Sequence, residues 1–159
     1  MRTLESHLEK HIDLLIERYP ILGECRQEII NAYLVMQERY EHDGKLLIAD
    51  NGGSAADSEY IAGKLMKRFK TPRPVTPEMA EKLKEIDPAR GEDLAKNLER
   101  GLMAIPLVAH EALSTAYIND IDGLGVFAQH LFGFGRPGDV FLEISTSENS
   151  KNIMLSLIH

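Results

Sequence analysis

The sequence has one cysteine, Cys25, and no apolar run long enough to span a membrane. A single cysteine excludes an internal disulfide framework. Residues 1–10 are charged and amphipathic, without the apolar core of a secretory signal. These absences predict a cytoplasmic protein that has no membrane partner.

Basic residues are also scarce, because 18 Lys and Arg stand against 25 Asp and Glu and give a net charge of −7. A nucleic-acid surface needs clustered Lys and Arg to neutralise phosphates, so this charge argues against a nucleic-acid partner. The 159 residues are 43% apolar and 27% charged, which fits one globular domain with a proper core.

Two amphipathic segments open the chain. Apolar residues recur every three or four positions from Thr3 to Tyr19 and predict a helix. A second helix is predicted from Glu24 to Glu41, with an apolar face wide enough to need partners on both sides. That face fits packing within the chain or packing on another subunit, and the pattern leaves both open.

The most informative stretch follows directly. The apolar run Leu46–Ala49 predicts a buried parallel strand, and Asn51-Gly52-Gly53 predicts a turn in which glycine allows a positive φ. Ser54 is predicted to cap a helix from Ala55 to Phe69, with Asp57 completing a capping box. A strand, a glycine turn and a helix N-terminus together favour an anion site, although a simple strand-to-helix turn explains the loop alone equally well.

Further along, strands alternate with helices. Thr71–Pro74 breaks regular structure, and residues of about 76–100 predict a surface helical insertion, one helix ending near Ile86 and another running from Glu92 to Arg100. Residues 104–109 predict a second strand, at a sheet edge because Pro106 lacks a donor. A third strand is predicted at residues 139–144, and the alternation indicates an α/β fold with a parallel sheet.

The third strand runs into a hydroxyl-rich turn. Ser145, Thr146, Ser147 and Ser150 surround Glu148 and Asn149 before a helix that begins near Lys151. Hydroxyls and helix N-terminal amides are donors that can surround a phosphate. Since ligands bind at the carboxyl ends of parallel strands, this loop and the Asn51 loop together predict a phosphate-ligand site.

With these motifs in this order, the chain resembles the sugar isomerase (SIS) domain family, and within it the phosphoheptose isomerase branch. The matching motifs are Asn51-Gly52-Gly53-Ser54 with Asp57, Arg73-Pro74, Asn119-Asp120, Gly138-Asp139-Val140, and Ser145-Thr146-Ser147 with Asn149-Ser150. They cover the chain from about Gly44 to its end, apart from the insertion.

The resemblance implies a three-layer fold, a parallel sheet in flavodoxin-like order with flanking helices. It assigns residues 1–43 to N-terminal helices that mediate oligomerisation, as a homotetramer, and residues 44–159 to the SIS domain. The implied ligand is sedoheptulose 7-phosphate or a related sugar phosphate. The implied binding residues are Asn51, Gly52, Gly53, Ser54, Asn119, Asp120, Ser145, Thr146, Ser147 and Ser150, with the phosphate on the serine-rich loop and the sugar along Asn51 and Ser54.

Compared with the family pattern, the last strands and a C-terminal catalytic histidine are expected to be missing after His159. We therefore expect a fragment or a truncated product, with an open edge on the third strand. Glu148 also stands where a glycine is usual in the serine-rich loop, and a carboxylate there would repel a phosphate if it faced inward.

Two departures concern the chemistry. Aldose–ketose isomerisation needs a positioned base, and the family's catalytic glutamate and a preceding histidine correspond here to Lys64 and Tyr60. A protonated lysine is no base, and neither residue suits the zinc that part of the family binds, so no cofactor is expected. His110 is a weak catalytic candidate, since a lone histidine at a strand end is more often structural.

Lys64 and Arg68 are candidate anion contacts, because with Tyr60 they fall on one predicted helix face at i, i+4 and i+8. The alternative is a solvated basic face. Two functions follow from these residues. One is a phosphoheptose isomerase-type sugar-phosphate-binding protein that is impaired or inactive as an enzyme. The other is a non-catalytic SIS module for a phosphosugar effector or a protein partner, similar to the replication-initiator-associating proteins.

Overall fold

The structure is a computed structural model that describes residues 3–146 and 149–158. The chain forms two compact units, Met1–Gly44 and Lys45–His159. The oligomerisation role assigned to residues 1–43 stays a prediction.

The first unit is helical. Helix α1 spans Ser6–Arg18, a 3-10 helix covers Pro20–Cys25, and α2 spans Arg26–Glu41. All of α1 is described, and none of its residues is buried; α2, also fully described, buries only Ile30. Most apolar residues on the predicted faces of these helices are half-buried.

The second unit contains a parallel sheet of three strands within the described residues, in the order β2-β1-β3. Strand β1 spans Leu46–Ala49, β2 spans Ala104–Pro106 and β3 spans Val140–Glu143. Leu47 is in register with Ile105 on one side and Phe141 on the other. All four residues of β1 are buried, which explains its unbroken apolar run. The predicted α/β class is confirmed, and Pro106 lies on an edge strand as expected.

Helices flank this sheet. The helices of this unit are α3 Ala55–Met66, α4 Pro77–Ile86, α5 Pro88–Asn97, α6 Glu111–Asp120, α7 Val126–Phe134 and α8 Lys151–Ser156; α3 packs against β1 and β2, whereas α4 and α5 pack mainly on each other. On one face of the sheet, Leu47 and Ala49 join a core whose other buried members are Leu107, Val126, Phe127 and Ile153. The α7 and α8 helices are thereby fixed against the central strand, and α8 begins beside the loop that follows β1.

Helix α3 is shorter than predicted, because it ends at Met66 and Lys67 is extended. Arg73 explains this end: its Nη2 donates to the carbonyls of Leu65 at 2.5 Å and Lys67 at 3.0 Å. These bonds satisfy carbonyls at the helix terminus. Arg68 consequently lies outside α3, and the expected face that it would share with Tyr60 and Lys64 is wrong.

The helical insertion begins as predicted, since the Thr76 hydroxyl accepts the Met79 N–H at 3.3 Å and Pro77 opens α4. Helix α5 begins four residues before the predicted Glu92, because the Asp87 carboxylate accepts the Arg90 N–H at 3.0 Å. Gly91, which precedes the predicted start of this helix, lies inside α5. A Cβ there would stand 2.1 Å from the Leu83 carbonyl oxygen, so glycine is what allows α4 and α5 to approach.

The predicted second strand is also shorter, because residues 107–109 form a 3-10 turn after β2. Among the described helices, none is both long and apolar enough to cross a bilayer.

Candidate functional site

The carboxyl ends of β1 and β3 lie together, as the sequence predicted for a parallel sheet. The contact that joins them is a pair of side-chain amides. Asn51 Nδ2 donates to Asn152 Oδ1 at 3.0 Å, and Asn152 Nδ2 donates to Asn51 Oδ1 at 2.8 Å. The loop after β1 is thus bonded to the first turn of α8. Sequence analysis missed Asn152, although it lies two residues after the predicted serine-rich motif.

The glycine turn has the predicted left-handed residue at Gly52, with a φ of 59°. A Cβ built on either Gly52 or Gly53 would meet no atom within 4 Å, so both glycines border open space. A ligand can therefore approach the backbone here without displacing a side chain.

The predicted capping box at Ser54 is wrong. Residues Gly52–Ser54 form a 3-10 turn, and Ser54 has helical dihedrals, φ −71° and ψ −15°, with no side-chain capping bond. The carbonyls of Gly52 and Gly53 accept the Ala55 N–H instead. The Ser54 hydroxyl is consequently not committed to capping α3.

Asp50 is a second residue that the sequence analysis missed. It is only 3% exposed at the end of β1, and its Oδ1 accepts the Asn51 N–H at 2.6 Å. Its Oδ2 is buried and has no hydrogen-bond partner among the described residues. A buried acceptor without a donor is unusual, because leaving one unpaired costs about 1–3 kcal/mol.

The serine-rich loop is described in part. Ser145 and Ser150 are half-buried with their hydroxyl oxygens 3.5 Å apart, and Thr146 is exposed. The two hydroxyls that flank the loop therefore converge. Ser147 and Glu148 lie outside the described residues, so the predicted phosphate contact of Ser147 and the repulsion by Glu148 stay predictions.

Asn119 and Asp120 end α6, and both are exposed. The Asn119 Nδ2 donates to the Asp120 Oδ1 at 2.7 Å, so this predicted pair bonds to itself. Its contact with a sugar phosphate stays a prediction.

Lys64 is half-buried on α3 and packs against aromatic rings. Its Nζ lies 4.6 Å from the Tyr60 ring centroid and 4.2 Å from the Phe69 ring centroid. Arg68 instead pairs with Glu99, Nε to Oε1 at 3.1 Å, and that carboxylate side chain is only 12% exposed. Both candidate anion contacts thus already have partners within the chain.

The same residues fit a metal poorly. An ammonium group in cation–π contact offers no lone pair, and the described residues contain no group of three or more His, Cys, Asp or Glu side chains that could hold a metal ion. The expected absence of zinc stays a prediction.

His110 follows β2, but its ring faces an aromatic cluster. Its centroid lies 4.7 Å from that of Phe134 and 5.8 Å from that of His130. His110 Nε2 and both ring nitrogens of His130 are buried without a hydrogen-bond partner among the described residues. Burial, and next the charge of His110, lower the pKa of His130. This arrangement favours packing rather than proton transfer to a substrate.

The opposite end of the sheet is closed by an ion pair. Lys45 Nζ donates to Asp139 Oδ2 at 2.5 Å, and the backbone N–H groups of Lys45 and Arg136 donate to the same carboxylate at 3.0 and 2.7 Å. Burial raises the pKa of Asp139, but the bonds from Lys45 and Arg136 and the charge of Lys45 outweigh it, so the pKa lies below its ordinary value.

An open cavity of about 440 Å³ lies at this end too. Its lining includes Leu131, Phe132, Arg136, Pro137 and Phe141. The cavity lies beside the amino end of β3, away from the Asn51 loop and the serine-rich loop. Its lining is mainly apolar. The predicted phosphate site and this cavity are therefore separate places.

Known proteins share both the sequence and the fold of this chain. The chain is 32% identical over 160 residues to phosphoheptose isomerase 2 of Campylobacter jejuni, a match that covers 99% of this chain and 67% of the relative. It is 27% identical over 154 residues to a phosphoheptose isomerase of Akkermansia muciniphila, covering 97% of this chain and 68% of the relative. No protein-family model matches the chain.

A solved phosphoheptose isomerase from Neisseria gonorrhoeae is similar in fold, with a TM-score of 0.61 and 26% identity over 96% of this chain and 64% of that one. The chain thus spans about two thirds of the length of these relatives. Sequence and fold agree, and the chain belongs to the phosphoheptose isomerase family of SIS-domain proteins.

Proposed function

We propose that this chain binds a sugar phosphate at the carboxyl ends of β1 and β3. The observation that carries the proposal is the pair of hydrogen bonds between Asn51 and Asn152, which joins the β1 loop to the first turn of the helix after the serine-rich loop. Converging hydroxyls of Ser145 and Ser150 supply donors for a phosphate, and open space beside Gly52 leaves room for the sugar. The relatives' names suggest a phosphoheptose as the ligand, and the family resemblance implies sedoheptulose 7-phosphate or a related sugar phosphate.

We further propose that the chain binds this ligand without isomerising it. The reaction moves a proton next to a carbonyl and needs a base within hydrogen-bond reach of it. The two family positions on α3 are Tyr60 and Lys64, and the Lys64 ammonium lies against aromatic rings. His110 has its Nε2 buried beside the His130 ring, which disfavours it as a replacement base.

The alternative function is a non-catalytic module that binds a protein partner. Exposed apolar residues in the N-terminal unit favour it. The described α1 has no buried residue, and Leu14, Tyr19, Ile21 and Val35 are exposed. Such an apolar surface favours association, and we propose self-association into a homo-oligomer, a tetramer as in the family resemblance, in the cytoplasm. Light scattering on the purified chain would detect it.

Titration calorimetry combined with a turnover assay tests the main proposal. We expect sedoheptulose 7-phosphate to bind the chain, and proton NMR of the sugar to show no aldose product after prolonged incubation. Lys64→Glu, which places a carboxylate at the family position, should keep binding, and any gain of turnover in that variant would sharpen the assignment. Turnover by the unaltered chain would sink the non-catalytic part, and absence of binding would sink the site itself.

A further inference from the structure

A reciprocal amide pair connects Asn51, in the loop after β1, to Asn152, in the first turn of α8 and 101 positions further along the chain. We call these two residues the amide clasp. The family resemblance carries a role for Asn51 only, and Asn152 received none. Because each side chain both donates and accepts, rotation of either amide breaks both bonds at once.

Both residues of the clasp are also held locally. The Asn51 backbone N–H donates to Asp50 Oδ1 at 2.6 Å. Asn152 Oδ1 accepts the N–H of Ile153 at 3.1 Å, and the Ile153 side chain is fully buried in the core. The clasp is therefore anchored to β1 on one side and to the core-facing side of α8 on the other.

We infer that Asn152 is a positioning residue for the sugar-phosphate site: through Asn51 it sets the spacing between the β1 loop and the serine-rich loop. This inference rests on the proposed function. A ligand that spans both loops would gain affinity from the fixed spacing, whereas a ligand that occupies only the serine-rich loop would not. A sugar phosphate has a polyol at one end and a phosphate at the other, so it can contact both loops at once. Inorganic phosphate can contact only the serine-rich loop.

Asparagine suits this position on electrostatic grounds. A neutral amide pair provides two hydrogen bonds without adding charge beside a bound phosphate dianion. An aspartate at either position would keep only one of the two bonds and would repel the anion. The clasp thus gives rigidity without an electrostatic penalty for the ligand.

A double-mutant cycle on ligand affinity tests the inference. Titration calorimetry compares the unaltered chain, Asn51→Ala, Asn152→Ala and the double variant, with sedoheptulose 7-phosphate and with inorganic phosphate. We expect Asn152→Ala, which removes both clasp bonds, to weaken sugar-phosphate binding about 5-fold, an effect the size of one net hydrogen bond, and to change phosphate binding less than about 2-fold. The double variant should bind no worse than the weaker single variant, because both singles break the same pair.

Asn31→Ala is the matched control, since Asn31 accepts a bond from Gln27 Nε2 at 2.9 Å in an exposed amide pair on α2. It should bind both ligands as the unaltered chain does. Asn152→Leu, which keeps the side chain's size, serves if Asn152→Ala does not fold. Effects that multiply in the double variant, or equal weakening toward both ligands, would overturn the positioning role.

An amide NMR spectrum without ligand separates this inference from the proposed function. In Asn152→Ala, the side-chain NH₂ signals of Asn51 and the backbone signals of Gly52 and Gly53 should shift. If these NMR signals do not shift, the clasp is overturned, whether or not either ligand binds. If the unaltered chain binds neither ligand, the proposed function is overturned, and the positioning role falls with it even where these signals shift.

Discussion

An aspartate lies at each end of the central strand, Asp50 buried and Asp139 half-buried, and the two are in opposite hydrogen-bonding states. Asp139, beside the amino end of β1, accepts three hydrogen bonds and pairs with Lys45. Asp50, at the carboxyl end, accepts one backbone bond, and its second oxygen has no partner among the described residues. Both side chains have little exposure to solvent, so the two aspartates differ mainly in their hydrogen-bond partners.

This contrast separates stabilising structure from a place prepared for a ligand. Both oxygens of the Asp139 carboxylate accept bonds from the protein, and Asp139 therefore fixes the start of β3 to β1. The Asp50 Oδ2, a buried acceptor next to a glycine turn, can still accept a hydrogen bond that no described residue donates. The same end holds the amide clasp and the converging serines, which is why we place the site there and not in the apolar cavity at the other end.

The largest effect is expected from Asp139→Asn. The new NH₂ group would face donors, the Lys45 ammonium would lose its counter-ion, and the pair is only 9% and 14% exposed. We expect a loss of about 3 kcal/mol in the free energy of unfolding, measured by denaturant titration. Glu92→Gln, which breaks the exposed pair with Lys96, is the control and should show no measurable loss. If Asp139→Asn loses no more unfolding free energy than Glu92→Gln, the contrast between the two ends of the central strand would be contradicted.

The free energy of unfolding should depend on pH through the buried His130. The pKa of His130 is lowered in the folded state, so the unfolded chain binds more protons below pH 6.5, the ordinary histidine value. Its contribution is fully present above pH 6.5 and is lost as the pH falls toward the folded pKa. The unfolding equilibrium constant should rise by up to about tenfold per pH unit in that window. Denaturant titrations of the unaltered chain at pH 7 and pH 5 measure this.

His130→Phe, which matches the neighbouring aromatic rings, should flatten that dependence, whereas His11→Gln at an exposed position should leave it unchanged. An unchanged slope in His130→Phe would show that another group takes up the proton. A separate loss is expected below pH 3.8, the ordinary value for Asp139, because its folded pKa is lowered and its contribution disappears as it protonates. Asp139→Asn should remove that acid step only.

The smallest effect is expected from Asp50→Asn, the same substitution at the other end. Asparagine keeps an oxygen for the Asn51 N–H, and no counter-ion is left unpaired. We expect a change of less than about 1 kcal/mol in the free energy of unfolding. A loss as large as that of Asp139→Asn would mean that Asp50 is structural, and the two ends would no longer differ in kind.

Much of the fold could be predicted from the sequence, because its signals are local. The apolar run of β1, the proline in β2 and the Thr76-Pro77 helix start each act through their own backbone. The early end of α3 could not be predicted, since Arg73 supplies it from the following loop. The roles of Asn152 and Asp50 also escaped prediction, because they depend on which groups meet across the sheet. The positive φ at Gly52 was predictable, yet the missing Ser54 cap was not.

The most direct test is an amide nitrogen–proton NMR titration with sedoheptulose 7-phosphate. We predict shifts at Gly52, Gly53, Ser150 and Asn152, with the signals of Lys45, Gly138 and Asp139 unchanged. Shifts confined to the residues around Arg136 and Phe141 would place the ligand in the apolar cavity instead. Those shifts, or a spectrum that does not respond to the sugar, would contradict a sugar-phosphate site at the carboxyl end of β1.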